Sequence, residues 1–381
     1  MFFGGIYVKQ FYLDAAATTP LLVCVRDAML KAMDVFGNPS SVYPLGLAAK
    51  DAVEDARHQV ALLIGAEDDE IVFTSGATES NNMVIRHLNE AYGGTEMRNG
   101  WISAVEHPSV VKAFSRHFES SPVHIYPDEH GVLPRIERDD GWDSGVASVM
   151  LANNETGLVH NIDALADAFA VFHTDATQFV PHRQLDVHNF CGLDFIDFAS
   201  FSAHKFGGPK GVGALFVNRA FSRDLPMPVT PMLGGGGQEH GMRSGTENVI
   251  GIVGMGAAAE YTRKHYDEVA LRDRIAKFAN IILDTIPHCW LNFYPCIPIF
   301  SVCVPNVSNA SLVMACGAQG VSISSGSACH GNGETPSEVL LNMGLSAEHA
   351  LNTIRISPPE HMTENEFYAA CKIIAEIVNV L

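Results

Sequence analysis

The chain predicts an α/β fold: a mainly parallel sheet sandwiched by helices, with a smaller α+β unit towards the C-terminus. Three observations carry that expectation. Short apolar runs alternate with segments of helical spacing through much of the chain, the pattern of strand–helix–strand units. Most of these runs finish on polar residues. After Pro287 the texture changes to shorter elements.

The apolar runs, in order, are EIVFTSG (70–76), WISAVEH (101–107), VASVMLAN (146–153), VFHTDA (171–176), DFIDFASFS (194–202) and GALFVN (213–218). Between them, segments 45–64, 78–92 and 162–170 space their apolar residues as helices do. Thr74, Ser75, Glu106, His107, Asn153, Asn154, Asp175 and Ser202 fall at strand ends. Open α/β sheets bind ligands beyond the carboxyl ends of their strands, so these groups are expected to meet in one crevice. From Gly251 to Ile286 the spacing predicts one long helix. IPIFSVCVPN then reads as a strand and SLVMACGAQG as a short helix. A last helix follows, with Thr363 and Glu366 at capping-box spacing. The domain boundary is expected near residue 257, giving a large domain of 14–257 and a small domain of 1–13 with 258–381.

With 381 residues the chain can build two such cores, and 47% apolar with 18% charged residues is ordinary for a globular protein. A formal net charge of −19, with no Lys/Arg run, opposes direct binding to nucleic acid. No apolar run has the length of a membrane span, and the start lacks the pattern of a signal peptide. None of the eight cysteines forms a C-x-x-C pair, so neither a metal site nor a disulfide framework is supported. A reducing, cytoplasmic location is expected.

Several stretches carry chemistry. TSGATESNN (74–82) runs from a strand through a glycine turn into a helix. Its free backbone N–H groups, at Ala77 among others, and the Thr78 hydroxyl suit a phosphate. Asp175, with Gln178 three residues on, offers a carboxylate to a cation or a pyridinium nitrogen, although Asp before a helix is also a common cap. In SFSAHKFGGPKG, Lys205 follows Ser202 and His204 and precedes two glycines. A nucleophilic lysine needs a shaped, partly buried site, and Lys210, deeper in the glycine loop, is the lesser candidate. His107 can stack on a planar ring, move a proton, or simply pack. The loop GGGGQEHGMRSGTEN (234–248), with Arg243 and Thr246, is either a close-approach site or a hinge. Cys329 in SSGSACHG lies among small residues, which suits an accessible thiol more than a packed one. Arg355 can clamp a carboxylate. Phosphate cradle, ring-nitrogen carboxylate, stacking histidine and Schiff-base lysine are together the parts of a pyridoxal 5′-phosphate (PLP) site.

Nine motifs, in order, now carry a resemblance: YLDAAATTP, FGNPSS, TSGATESNN, EHPSVV, NNETG, DATQ, SFSAHKFGGPKGVGAL, GGGQEHGMRSGTEN and SSGSAC, spanning roughly 12–358. The chain resembles the cysteine desulfurases of the class V aminotransferase group, PLP enzymes of fold-type I, in the branch with an SSGSAC loop. The resemblance implies conversion of L-cysteine to L-alanine, with the sulfur passed first to Cys329 and then to an acceptor protein. The acceptor would serve iron–sulfur assembly or thiolation of nucleic acid. Lys205 would bind PLP covalently, Asp175 would meet the ring nitrogen, Gln178 the ring hydroxyl, and His107 would stack on the ring. Ala77, Thr78, Ser202 and His204 would hold the phosphate. Thr246 would reach the phosphate of a neighbouring subunit in a homodimer. Asn38, Asn154 and Arg355 would orient the substrate carboxylate. A selenocysteine lyase, or another lyase of the class, and a catalytically silent scaffold remain the alternatives. Three features depart from the pattern: His330 after Cys329, a shortened stretch before Asp175, and few residues after Arg355.

Overall fold

The computed structural model describes residues 10–92, 100–118, 121–136, 145–166, 168–190, 196–219, 229–326 and 335–381, with the backbone of 2–3 and 6–7. Its centre is a seven-stranded sheet. The strands are β1 (Ile71–Thr74), β2 (Gly100–Ser103), β3 (Val123–Ile125), β4 (Val146–Ser148), β5 (Val171–Asp175), β6 (Phe198–Ser202) and β7 (Gly213–Val217). They lie in the order β1-β7-β6-β5-β4-β2-β3. β7 runs antiparallel to both β1 and β6, and the other pairs are parallel. Six of these strands are the six apolar runs. β3 escaped because it is an edge strand of only three residues, VHI, with His124 exposed.

Side-chain alternation divides the sheet between two helical layers. Phe73, Phe172 and Phe201 point to one face, where they meet Val53 and Val60 of α2 (Pro44–Ile64) and Met255 and Ala259 of α5 (Val249–Lys264). Also on this side is α1 (Val23–Ala32), which contributes Val25. Val72, Ile102 and Leu215 point the other way, towards Met83 and Leu88 of α3 (Ala77–Tyr92) and Val110 and Phe114 of α4 (Pro108–His117). Both faces of β5 and β6 are buried, including their polar residues His173, Thr174 and Ser200.

A second core is built on the antiparallel strands β8 (Trp290–Leu291), β9 (Phe300–Cys303) and β10 (Thr353–Ile356). α6 (Glu268–Thr285), α7 (Asn309–Ala318) and α8 (Glu364–Val378) cover it. Phe278 of α6 stacks on Phe367 of α8 with ring centres 4.1 Å apart. Phe11 and Leu13 from the start of the chain also belong here. The expected capping box is present: Thr363 Oγ1 accepts from Glu366 N, and the Glu366 carboxylate accepts from Thr363 N.

Two expectations need correction. The long helix 251–286 is two helices, because Asp267 caps a new start by accepting from Val269 N and Ala270 N. The helix expected over 162–170 is one turn, Asp163–Ala166, and the chain re-enters the sheet at Val171.

Candidate active site

β1 ends at Thr74, turns through Ser75 and Gly76, and enters α3 at Ala77. The turn is tied down on several sides. Ser75 N–H donates to Glu79 Oε2 at 2.7 Å, and Thr74 Oγ1 and Ser80 Oγ are 2.9 Å apart. Ala77 N–H donates to Ser202 Oγ, at the end of β6, at 2.7 Å. Gly76 has φ +151, and a Cβ there would come within 3.2 Å of Ser202 Oγ. Thr78 is exposed in the first turn of α3. The result is a helix N-terminus lined by hydroxyls, with Gly76 in close contact with Ser202.

At the end of β5, Asp175 is buried, and its carboxylate accepts from Asn81 Nδ2 at 2.8 Å and from Thr177 N at 3.0 Å. Asn81 Nδ2 also donates to Ser109 Oγ at 2.8 Å. Ser109 in turn faces His107 Nδ1, which accepts its backbone N–H at 3.1 Å and lies 2.8 Å from its hydroxyl. Because Ser109 Oγ accepts from Asn81, its own proton goes to Nδ1. These directions, inferred from the bonding pattern, leave the ring proton on Nε2. Burial, reinforced by the Lys205 charge and opposed by Asp175, holds the His107 pKa below its ordinary value, so the ring is neutral.

Lys205 follows β6 in a single helical turn, Ala203–Lys205. Its Nζ donates to the carbonyl oxygens of Ala16 and Ala17 at 2.7 and 3.0 Å. Gln178 Nε2 donates to the same Ala16 oxygen at 2.8 Å. His204 Nδ1 lies 3.1 Å from Thr18 Oγ1, and burial with the nearby Lys205 and Lys210 charges pushes its pKa down to about 4. Gly207 has φ +80, and a Cβ there would sit 2.4 Å from Leu22 Cγ, so the turn behind the lysine requires glycine. Lys210 is exposed.

Arg355, in the middle of β10, is 3% exposed. Its Nη2 donates to Asp14 Oδ1 at 2.7 Å and its Nη1 to the Asn154 carbonyl at 2.9 Å. Its backbone pairs with Ser324, through Arg355 N to Ser324 O at 2.7 Å and Ser324 N to Arg355 O at 3.2 Å. Ser324 stands five residues before Cys329, which itself lies outside the described residues.

Two candidates stand apart from this cluster. Asn38 is exposed and its Oδ1 accepts from Ser40 N; no bond among the described residues joins it to the other candidates. Thr246 is also exposed. Its loop is anchored by Glu239, whose carboxylate accepts from Arg57 Nη2 at 2.8 Å and from Phe73 N at 2.7 Å, and by Arg243, which pairs with Glu79 at 2.9 Å.

Sequence reasoning passed over Asp14, Asn81 and Ser109, and the carbonyls of Ala16 and Ala17. All lie inside motifs quoted for the resemblance, which was their one signal. Glu106, beside His107, is buried; burial pushes its carboxyl up to about 8, against the bonds its Oε1 accepts from Ser103 Oγ and Met150 N. Burial likewise raises the thiols of Cys303, Cys316 and Cys371, to about 11, 12 and 12.

The model of one family, aminotransferase class-V, matches residues 11–368. A protein of Methanosarcina thermophila named cysteine desulfurase IscS is 36% identical, covering 98% of this chain and 93% of its own. Another of that name, from Rickettsia bellii, is 37% identical over 98% of this chain and 92% of its own. Among solved structures, a NifS-like protein superposes with a TM-score of 0.83 at 29% identity, over 98% of this chain and all (100%) of that one. A structure described as SspA in complex with cysteine gives a TM-score of 0.74 at 30% identity, over 93% and 100%.

Proposed function

The chain belongs to the class-V aminotransferase family and is a PLP-dependent cysteine desulfurase, and we propose how its residues divide that work. The observation that most supports the division is convergence. Lys205 and Gln178 share one carbonyl, that of Ala16, while Asp175 and His107 are joined through Asn81 and Ser109.

The donor set fits the cofactor. The Gly76 turn, with Ala77 N–H, Thr78, Ser202 and His204, suits its phosphate. Asp175 suits its ring nitrogen, Gln178 its ring hydroxyl, and His107 one face of the ring. When bound, PLP supplies an electron sink for the bonds around the substrate α-carbon.

The protein's own groups do the rest. Lys205 holds the cofactor covalently and, once displaced by substrate, carries a proton at the substrate α-carbon. Asn38, Asn154 and Arg355 orient the substrate carboxylate, the last with a guanidinium suited to it. Cys329 Sγ, as thiolate, attacks the substrate sulfur. The new S–S bond forms as the substrate C–S bond breaks, and that bond's electron pair stays on the departing carbon. Protonation of that carbon gives alanine, and Cys329 is left as a persulfide. An acceptor protein of iron–sulfur assembly or nucleic-acid thiolation then takes the outer sulfur.

Thr246 reaches the phosphate of a second subunit, so the working form is a homodimer. The proposed division is a large unit of 14–257 and a small one of 1–13 with 258–381; the separate core holding Phe11 and Leu13 supports two units, while Ala258 and Ala259 pack with the large one. The Asp267 cap favours setting the joint at 265–267 instead of inside α5. The test of the activity is direct: with L-cysteine and a reductant, alanine and sulfide form in equal amounts. A PLP-loaded protein that forms no alanine overturns the reading.

A further inference from the structure

We infer that Asp14 is a resident competitor for Arg355, and that it sets how loosely the substrate and product carboxylates are held. This rests on the reading of Arg355 as the clamp for the substrate carboxylate.

A guanidinium that is 3% exposed needs a counter-charge, and Asp14 supplies it, with Oδ1 2.7 Å from Nη2. The Asn154 carbonyl occupies Nη1, whereas Nε is buried without a partner. The guanidinium is therefore only partly satisfied by the protein's own groups.

The Asp14 backbone is held in place beside Arg355. Tyr12 OH donates to its carbonyl at 2.8 Å, and the next amide, Ala15 N, donates to Ser357 O at 2.8 Å. Its backbone is thus pinned to the segment just after β10. The Asp14 side chain is 20% exposed, against 3% for Arg355, so Asp14 is the more accessible member of the pair. A second carboxylate reaching Arg355 shares the cation with Asp14 and meets its like charge. Holding weakens, and alanine leaves more readily. Between turnovers the same pair keeps the buried cation compensated and in place.

Asp14→Asn keeps the size and an acceptor oxygen but removes the charge. The test titrates the PLP-loaded protein with L-alanine and with L-alaninamide, which lacks the carboxylate, and follows the cofactor absorbance. Steady-state kinetics with L-cysteine run beside it. Asp14→Asn is expected to bind L-alanine on the order of tenfold tighter, as for removal of one neighbouring like charge. The KM for L-cysteine falls with it, and L-alaninamide affinity stays as in the wild type. Asp14→Ser, also neutral, is expected to behave alike and serves if the Asn variant folds poorly. Unchanged or weaker L-alanine binding, or an equal shift for both ligands, overturns the inference. In a wild-type protein that turns over cysteine, such a result leaves the desulfurase reading standing. A wild type that forms no alanine removes both.

Discussion

Asn81 and Asp175 are hydrogen-bonded, Nδ2 to Oδ2 at 2.8 Å, across 94 residues of sequence. The same amide nitrogen reaches Ser109, so one buried side chain joins the carboxylate of β5 to the histidine before α4. Asn81→Ala leaves Asp175 Oδ2 short of a donor and frees the Ser109 hydroxyl from its orientation. The loss of about 1.5–3 kcal/mol expected for one bond to a charged group corresponds to a roughly tenfold to hundredfold fall in kcat/KM. A shift in the absorption band of bound PLP accompanies it, which a merely structural role does not require. Steady-state kinetics and an absorption spectrum check both.

Lys205 and Lys210 separate cleanly. Lys205 Nζ is turned onto the Ala16 and Ala17 carbonyls inside the cluster, while Lys210 is exposed. Lys205→Ala is expected to lose borohydride-trapped, covalently bound cofactor and all turnover. Lys210→Ala keeps both. Mass spectrometry after borohydride reduction distinguishes them.

The Arg57–Glu239 pair is almost fully buried, at 5% and 3% side-chain exposure. Glu239 holds it with φ +50, a strained value for a residue other than glycine. Glu239→Ala leaves the buried Arg57 with only the half-exposed Glu54 as counter-charge, and Phe73 N–H without its acceptor. A loss of about 3–5 kcal/mol is expected. Chemical denaturation measures it. Arg57→Ala combined with Glu239→Ala costs less than the sum of the single changes, because the stranded charge is gone.

Glu106 gives the protein a specific pH dependence. Its folded pKa is raised from 4.5 to about 8, mainly by burial. Below pH 4.5 both folded and unfolded forms carry the proton. Between 4.5 and about 8 only the folded form does, so this contribution to stability is lost progressively as pH rises through that window. Glu106→Gln cannot ionise. Its melting temperature relative to wild type is expected to rise from pH 5 to 8 and then level off. Thermal melts across that range are the check, and a constant difference contradicts the assignment.

The strands and most reacting groups were legible for one physical reason. Each strand carries a short apolar stretch such as VF or FASF, and the polar residues that close it, such as Asp175 and Ser202, stand out. β3 was missed because a three-residue edge strand with His124 exposed carries no such run. The break before α6 depended on one capping side chain, Asp267, inside an otherwise helical pattern. Asp14, Asn81 and Ser109 were not legible as partners. Their roles arise from contacts across the fold, and Asp14 meets Arg355 over 341 residues of sequence. Spacing carries no trace of such a meeting.

The most direct measurement compares wild type with Cys329→Ala, each loaded with PLP and given L-cysteine and a reductant, with sulfide and alanine quantified. Wild type is expected to yield equal amounts of both. Cys329→Ala is expected to keep the cofactor spectrum and lose sulfide release. Full sulfide production by Cys329→Ala would contradict a persulfide on that cysteine.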